Sequence, residues 1–278
     1  MDERKMKVAL GVEYNGREFS GWQTQPGRPS VQESLERAVS LVANEEVVVV
    51  CAGRTDAGVH AGEQVVHFET SAQREDHAWR MGSNCRLPGS IRILWARRVP
   101  DEFHARYSAI ARYYHYVILN RSTRSAYFND LVTWCYKPLD VQRMSEASRC
   151  LIGDHDFTSF RAKSCQSRSP CRRLYQIAVR KDDDRVLVDV VGNAFLHHMI
   201  RNIVGVLMEI GTGKKAVAWS KEVLMARDRK AGGITAAPEG LYLAGIYYPE
   251  IFAIPRHPIF DILPSGIKRF EGQKDERC

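Results

Sequence analysis

Residues 47–69 read VVVVCAGRTDAGVHAGEQVVHFE, and this stretch decides the fold. Two apolar runs, 47–51 and 64–69, predict two buried strands. The loop between them, residues 52–62, contains three glycines, a residue type that permits sharp backbone turns. The stretch therefore predicts two strands whose connecting loop holds its side chains in a defined place.

Local patterns on either side of this stretch complete one half of the chain. Ser30 stands three residues before Glu33, which is the spacing of a helix-capping box. Apolar residues follow at helical spacing from Val31 to Val42. The flanking patterns predict strands at 7–13 and 91–98 and helices at 31–43 and 74–81. The resulting order, β-α-β-β-α-β, is the ferredoxin-like arrangement.

The remainder of the chain repeats this plan loosely. Predicted strands lie at 112–119, 131–136, 174–180, 185–191 and 241–248, and predicted helices at 141–151, 195–210 and 218–226, with Gly211 as the cap of the second helix. We therefore expect an α+β fold of two ferredoxin-like halves with antiparallel or mixed sheets. The expected domains are 1–103 and 104–249, and no structure is predicted for the tail, 250–278.

Composition narrows the classes of function. The chain has 278 residues, with 40 Lys and Arg against 33 Asp and Glu and a net charge of +7, which favours nucleic acid or another anionic partner. Hydrophobic residues make up 44%, which excludes a mainly disordered chain. No apolar run approaches the roughly 18–20 residues of a membrane-spanning helix, so we expect no membrane association. The start, MDERK, lacks the apolar region of a signal peptide and predicts a cytoplasmic protein.

The sequence contains no pattern typical of a metal or cofactor site. Its seven cysteines include no C-x-x-C pair, so we expect reduced thiols, without a zinc site or disulfide framework. The adjacent His197 and His198 diverge by about 100° on a helix and make a poor chelate. Residues 211–215, GTGKK, lack the upstream glycine and the final Ser or Thr of a phosphate loop. We therefore expect neither a metal nor an organic cofactor.

The glycine-rich loop contains the first candidate for chemistry. Arg54 and Asp56 stand two residues apart, between Gly53 and Gly58. A neighbouring guanidinium favours the ionised carboxylate, which suits a nucleophile or a general base. An ordinary Asp-Ala-Gly turn with a solvated carboxylate explains the same residues equally well. From spacing alone, both interpretations stay open.

The second candidate is the aromatic strand 112–116, RYYHY. Aromatic rings interleaved with basic side chains are typical of a surface that stacks on RNA bases. Tyrosine also favours strands in general, so rings packed in the core are the alternative. Strand alternation predicts that Tyr114 and Tyr116 face away from Tyr113 and His115.

Two further basic features complete the set of candidates. Arg201 lies in a predicted helix that is apolar nearly all round, where a buried guanidinium needs an anionic partner. A guanidinium that reaches the helix rim, or a structural ion pair, is the alternative. Residues 161–173 carry five basic residues and no acidic one, including Arg161, Lys163 and Arg168. This stretch is either an ordinary solvated loop or a phosphate-binding loop.

The string GRTDAGVH, residues 53–60, is highly specific in this setting, and through it the chain resembles the tRNA pseudouridine synthase A family. The resemblance covers about residues 7–249. The other matching stretches are 9–14, 21–23, 30–33, 64–70, 103–106, 156–161, 165–168, 197–199, 201–205 and 239–243.

This resemblance implies both a fold and a function. The fold is that of the pseudouridine synthases, with the active-site cleft between two halves. The reaction is the isomerisation of uridine to pseudouridine at positions 38–40, in the anticodon arm of tRNA. The family works without a metal or an organic cofactor, as a homodimer whose subunits share each tRNA. We therefore expect tRNA as the partner and a homodimer as the assembly.

The resemblance also implies roles for individual residues. Asp56 matches the essential aspartate of the family, and Arg54 belongs to the same active-site motif. Tyr114 matches the tyrosine that stacks on the target base. Arg201 matches the basic residue that pairs with the aspartate. Further tRNA contacts are expected from basic residues of the strand and the loop, namely Arg112, Arg161, Lys163 and Arg168.

The chemistry leaves one choice open, and two other functions compete. The N1–C1′ bond must break, the uracil must turn, and C5 must join C1′. Asp56 either attacks C1′ or removes the 2′ proton. A non-catalytic RNA-binding module of ferredoxin-like fold explains the charge but not the Arg54–Asp56 loop. A nucleoside glycosidase normally needs two carboxylates. The loop offers Asp56, and the next carboxylate, Glu63, stands only just beyond the end of the loop.

The sequence departs from the family pattern at two positions. His115 stands where another basic residue is expected in the aromatic strand, and Arg86 replaces an uncharged residue. Neither position belongs to the predicted catalytic set. Both departures bear on contacts with tRNA.

Overall fold

The computed structural model describes residues 5–255, and these divide into two compact units. Unit 1 contains the described residues through Ile110 together with those from Leu243 onward, and unit 2 is Ala111–Tyr242. Both units combine helices with β-sheet, so the fold is mixed α+β. The expected domains, 1–103 and 104–249, stay a prediction. Of the tail, 250–278, residues 256–278 lie outside the described part of the chain.

The strands and helices follow in chain order. The strands are β1 (Met6–Tyr14), β2 (Val50–Cys51), β3 (His60–Thr70), β4 (Ile91–Val99), β5 (Ala111–Asn120), β6 (Thr133–Cys135), β7 (Gly153–Asp156), β8 (Cys171–Asp182), β9 (Arg185–Gly192) and β10 (Leu241–Tyr247). The α-helices are α1 (Val31–Ala43), α2 (Asp76–Asn84), α3 (Val141–Ser148), α4 (Met199–Gly211) and α5 (Trp219–Ala226). Short 3-10 turns cover Arg149–Leu151, Thr158–Phe160, Arg229–Ala231 and Glu250–Phe252.

Unit 1 is built on antiparallel strands in the order β4-β1-β3, with β2 antiparallel to β3. The predicted order of elements, β-α-β-β-α-β, is confirmed for this half of the chain. The predicted helix start is confirmed as well, because the amide of Glu33 donates to Ser30 Oγ at 3.3 Å. Helix α2 packs Trp79 edge-on against Phe68 of β3, with the ring centroids 5.2 Å apart.

The two strands around the glycine-rich loop differ in extent from the prediction. The valine run 47–51 forms only a two-residue strand, since Val50 and Cys51 alone pair with β3, opposite His67 and Val66. Val48 is 65% exposed, so the run alternates between core and solvent. The second strand begins at His60, four residues before the predicted start. The loop that carries Asp56 is therefore shorter and more tightly bounded than expected.

Unit 2 contains the strands β5-β9-β8-β7 in that order, and β6 runs parallel to β5. The predicted hairpin is confirmed: β8 and β9 pair antiparallel from Leu174 opposite Gly192 to Asp182 opposite Arg185. β7, a four-residue strand at the edge beside β8, is absent from the prediction. It carries few apolar residues, so hydrophobic periodicity does not identify it.

Helix α4 begins later and ends later than predicted. His198 adopts a left-handed conformation with φ 62°, which an α-helix cannot contain, so the helix starts at Met199 and residues 197–198 form a turn before it. Gly211 is the last helical residue and not the cap, and a Cβ there would lie 2.7 Å from Met144 Sδ. The left-handed glycine after the helix is Gly213, with φ +78°. The sequence therefore identifies the helix but not its ends.

The described residues define two further features of the chain. No helix within residues 5–255 is long and apolar enough to cross a membrane. The cysteines in this part of the chain all carry free thiols, and they are Cys51, Cys85, Cys135, Cys150, Cys165 and Cys171.

The buried ring of His67 makes stability depend on pH. Its Nδ1 accepts a hydrogen bond from the amide of Ala105 at 3.1 Å. Burial and, to a smaller extent, the neighbouring His104 and Lys7 lower the pKa of His67 to about 4, while the charge of Glu69 opposes them. An unfolded histidine titrates near pH 6.5, so between these values the unfolded chain binds more protons than the folded one.

The free energy of unfolding should therefore fall as the pH drops from about 6.5 to 4, by on the order of 2 kcal/mol from His67. Urea unfolding at intervals of pH measures this fall. His67→Gln should flatten the curve in that window, whereas His77→Gln, at an exposed position of α2, should not. Identical curves for the protein and for His67→Gln would contradict the assignment.

Candidate active site

The loop between β2 and β3 is held from one end by the side chain of Gln64. The Gln64 amide donates through Nε2 to the carbonyl of Gly53 at 2.5 Å, and its Oε1 accepts from the Gly53 amide at 3.4 Å. Gln64 is fully buried on β3. Because both hydrogen-bonding groups of one residue are engaged, the chain leaves β2 in a single direction.

The centre of the loop is held through Thr55, the residue before Asp56. Thr55 is buried, and its hydroxyl lies 2.8 Å from the hydroxyl of Tyr14 on β1. Its carbonyl accepts from the Trp22 amide at 3.0 Å. The carbonyl of Asp56 accepts from the Val59 amide at 3.1 Å. Asp56 thus stands at the rim of a turn whose backbone is bound on both sides.

Two glycines in the segment before α1 let the backbone approach this loop closely. A Cβ at Gly16 would lie 1.9 Å from the carbonyl oxygen of Val59, and one at Gly21 would lie 2.8 Å from that of Thr55. Gly21 also has φ +99°, a conformation that residues with a Cβ rarely adopt. Gln64, Tyr14 and these glycines support the site, and sequence reasoning did not single them out for that role.

The side chains of the loop differ in their exposure. Asp56 is half-buried, whereas Arg54 is exposed. The thiol of Cys51, just before the loop, is a poor nucleophile at neutral pH, because burial raises its pKa to about 12 despite the opposing charges of Arg54 and Arg106. Asp56 is therefore the better candidate for the reacting group of unit 1.

In unit 2, strand β5 presents Tyr114 on one face and its two neighbours on the other. The Tyr113 hydroxyl donates a hydrogen bond to Asp189 Oδ1 at 2.6 Å, and His115 Nδ1 lies 2.7 Å from the same carboxylate oxygen. Arg180 pairs with the second oxygen at 3.0 Å. Tyr113 and His115 are therefore committed to a buried ionic cluster, and the predicted alternation is confirmed for this face.

Tyr114 is 8% exposed and packs edge-on against Phe195, with the ring centroids 5.1 Å apart. Arg112, two residues before it, is buried and donates to the carbonyl of Asn193 at 2.7 Å. Asn193 in turn accepts through Oδ1 from the amides of Arg173 and Ala194. Arg112 thus braces the corner of the chain that leads to Phe195.

Arg201 lies in the first turn of α4 and is half-buried. Its Nε donates to the carbonyl of Ala236 at 2.8 Å, while the Ala236 amide donates to the carbonyl of Arg201 at 3.0 Å. The segment around Ala236 passes close to α4 at Gly205, where a Cβ would lie 1.9 Å from the carbonyl oxygen of Ile234. The backbone of Arg201 is therefore held firmly in place.

The basic loop of unit 2 docks on the turn that precedes α4. The Ala162 amide donates to the carbonyl of His197 at 3.0 Å, and Arg161 closes the loop by donating to the carbonyl of Cys165 at 3.0 Å. Lys163 and Arg168 are exposed. The segment 195–198 therefore lies beside both Tyr114 and the basic loop, and Arg201 follows three residues after it. Because a helix was predicted over residues 195–210, the turn before α4 was not predicted.

A family model described as tRNA pseudouridine synthase matches residues 11–108 and 147–249. The chain belongs to the tRNA pseudouridine synthase family. The matched residues include the glycine-rich loop with Asp56, and also Arg201. Tyr114 lies in the unmatched stretch 109–146, so its assignment rests on the resemblance and on its place in β5.

Relatives with the name tRNA pseudouridine synthase A are similar over nearly the whole chain. That of Methylococcus capsulatus is 53% identical over 266 residues, which cover 96% of this chain and 98% of the relative. That of Pseudomonas aeruginosa is 52% identical over 267 residues, covering 96% and 94%. That of Nitrosococcus oceani is 54% identical over 251 residues, covering 90% and 97%.

Proposed function

We propose that this chain isomerises uridine to pseudouridine in the anticodon stem-loop of tRNA, at positions 38–40. Membership of the tRNA pseudouridine synthase family supports the reaction class, which is an isomerisation. The observation that carries the proposal is the loop that presents Asp56 at its rim. Hydrogen bonds with Gln64 and Tyr14 hold this loop in place, and it lies inside the segment that the family model matches. The position in tRNA rests on the resemblance to the A family.

We propose that Asp56, Tyr114 and Arg201 act on one uridine. Asp56 supplies the carboxylate, which either attacks C1′ or removes the 2′ proton. Tyr114 holds the detached uracil ring by stacking while the ring turns, and Arg201 pairs with Asp56 and keeps it ionised. The reaction needs no metal or organic cofactor, because the glycosidic bond that breaks and the C5–C1′ bond that forms belong to one nucleotide.

The basic residues bind the tRNA around this uridine. Arg54 is exposed beside Asp56 and is suited to hold the phosphate of a nucleotide that has left the helical stack. Lys163 and Arg168 are exposed on the basic loop and are suited to direct phosphate contacts. Arg161 and Arg112 are bonded to backbone carbonyls and shape the surface on which those contacts are made.

The finer features of fold and assembly belong to the same proposal. We propose that both halves are ferredoxin-like and together form the active-site cleft, in a cytoplasmic homodimer. Support for unit 1 is its strand order, β4-β1-β3-β2, with every neighbouring pair antiparallel. Support for the homodimer and for its location is the resemblance to the family.

Release of tritium from tRNA labelled at C5 of uridine tests the proposed reaction. The C5 proton is lost to water only when C5 becomes bonded to C1′, so the full-length protein should release tritium from a tRNA with uridine at positions 38–40. A tRNA with cytidine at those positions is the control and should release none. Bound tRNA without tritium release would indicate the non-catalytic RNA-binding module, and free uracil as the product would indicate a glycosidase.

The proposed pairing of Arg201 with Asp56 predicts coupled effects on stability. Arg201→Met should lower the free energy of unfolding by less in an Asp56→Asn background than in the unaltered protein, because the carboxylate then has no charge to leave unpaired. Urea unfolding of the four proteins measures the coupling, which we expect to be about 1 kcal/mol. Strictly additive effects would argue against the pair.

A further inference from the structure

Unit 1 carries a column of aromatic rings that rises from the core to the surface. Phe103 is fully buried at its base and contacts His67 edge-on, with the centroids 6.1 Å apart. The His67 ring lies 4.7 Å from His104, and His104 lies 4.3 Å from Tyr107 at an angle of 30°. Tyr107 forms the top of the column and is 76% exposed. An aromatic ring is thus supported from below and open to solvent.

The turn that carries Tyr107 is closed by its own hydrogen bonds. His104 Nδ1 accepts from the amides of Arg106 and Tyr107, both at 3.2 Å. The His104 amide donates to the Ser108 hydroxyl at 3.0 Å, and the Ser108 amide donates back to the His104 carbonyl at 2.9 Å. The backbone that carries the exposed ring is therefore held in place before a ligand binds, which lowers the entropy cost of binding.

The same turn is anchored to the core through Ala105. The amide of Ala105 donates to His67 Nδ1 at 3.1 Å, and its carbonyl accepts from the Tyr248 hydroxyl at 2.6 Å. Phe252 covers Phe103 from another side, with the centroids 5.3 Å apart. The turn 104–108 with its exposed Tyr107 ring, here called the platform, is therefore anchored in the core of unit 1.

The charges around the platform suit an anionic ligand. The Arg106 guanidinium lies 5.6 Å from the centre of the Tyr107 ring. Residues 104–110, the part of the turn that belongs to unit 1, contain no acidic residue, and Arg106 is their one arginine. Burial lowers the pKa of His104, and the charge of Lys7 lowers it further, so this ring is neutral at physiological pH. A neutral imidazole under a phenol ring leaves Arg106 as the charged group of the turn.

The platform belongs to the same end of unit 1 as the catalytic loop. His67, within the column, lies opposite Val50 of β2, six residues before Asp56. Both Arg54 of the loop and Arg106 of the platform act on the thiol of Cys51, lowering its pKa against the effect of burial. The column of rings and the loop that carries Asp56 therefore both adjoin β2, since His67 pairs with Val50 and the loop follows Cys51.

We propose that Tyr107 is a substrate-binding residue, whose exposed ring stacks on an unpaired base of the tRNA anticodon arm close to the target uridine. This inference rests on the proposed function, because it requires a tRNA substrate. The combination of a supported open ring and a neighbouring guanidinium is suited to a base with its phosphate, since every base offers a face for stacking and the cation meets the backbone. The resemblance assigns no role to Tyr107, although residues 103–106 of the same turn belong to a matching stretch.

Binding of tRNA by Tyr107→Ala and Tyr107→Phe tests the inference. Measured in the Asp56→Asn background to prevent turnover, Tyr107→Ala should weaken tRNA binding about tenfold. Tyr107→Phe keeps the ring and should bind as tightly as its parent. Tyr127→Ala removes another exposed tyrosine, 92% exposed in unit 2, and should leave affinity unchanged. Melting temperatures of the variants establish that each is folded.

A fluorescent base reports the stacking directly. A 2-aminopurine placed in turn at each unpaired position of the anticodon loop should be quenched by the parent protein at one or more positions, and less so by Tyr107→Ala. Equal affinity of Tyr107→Ala and parent, or equal weakening by Tyr107→Phe, would overturn the inference. A change of oligomeric state in Tyr107→Ala would assign the ring to a protein interface instead. If the unaltered protein released no tritium, the proposed function would fail independently.

Discussion

Asp56→Asn should abolish the release of tritium from C5-labelled tRNA, with a fall in rate of at least about 10³-fold. The amide has the shape of the carboxylate but is neither a nucleophile toward C1′ nor a base for the 2′ proton. The loop should keep its conformation, because it is bound through Gln64, through Thr55 and through the backbone carbonyl of Asp56. Affinity for tRNA should therefore change by no more than about threefold, since the phosphate contacts that dominate binding remain.

The control for this variant is Asp101→Asn, at an exposed position of unit 1. It removes the same charge and should leave turnover unchanged. Single-turnover release of tritium with enzyme in excess separates the chemical step from binding, and filter binding gives the affinity. Equal single-turnover rates for Asp56→Asn and the unaltered protein would remove Asp56 from the mechanism. A loss of binding in parallel with activity would make it a residue that holds substrate only.

Gly21→Ala should reduce turnover by about 100-fold, although Gly21 does not contact substrate in the proposed site. The new Cβ would lie 2.8 Å from the carbonyl oxygen of Thr55, and 3.1 Å from the Asp56 carbonyl carbon. Backbone cannot yield as the end of a side chain can, so the loop that carries Asp56 must shift. A displacement of about 1 Å at a catalytic group costs on the order of 100-fold in rate.

Gly27→Ala is the matched control for the conformational part of this effect. Gly27 has φ +70° in the same segment, but a Cβ there meets no atom within 4 Å. It should cost about 1 kcal/mol of stability through its left-handed backbone and leave turnover unchanged. Gly21→Ala should cost about 2–4 kcal/mol, because strain and the close approach add. Urea unfolding and single-turnover kinetics measure the two effects, and full activity in Gly21→Ala would show that the loop tolerates the displacement.

The parts of the fold that were predictable are those encoded by neighbours in sequence. Helix α1 begins where Ser30 and Glu33 predicted it, because a capping box is made within one turn. The β8–β9 hairpin appears at its predicted place, because its strands flank a short polar turn. The loop with Arg54 and Asp56 was recognisable for the same reason, since its glycines and its charged pair lie within six residues.

What could not be predicted depends on contacts between distant segments. The valine run at 47–51 shows the same apolar composition whether it is a full strand or an edge, and only its pairing with β3 decides between them. The left-handed conformation of His198 makes helix α4 start at Met199, although the sequence pattern is apolar and helical on both sides of His198. The commitment of Tyr113 and His115 to Asp189 required the hairpin partner, which follows more than 70 residues later.

The sequence by itself determined the order of elements in the first half, the location of the glycine-rich loop with Asp56 and the family to which the chain belongs. Each of these depends on short stretches of consecutive residues. Only the tertiary structure decided what holds the loop in place: Gln64 across the strand, Tyr14 from 41 residues away, and glycines that allow the backbone of another segment to come within contact distance. The physical reason is that hydrogen bonds and steric exclusion act between neighbours in space, and residues far apart in sequence become neighbours only when the chain has folded.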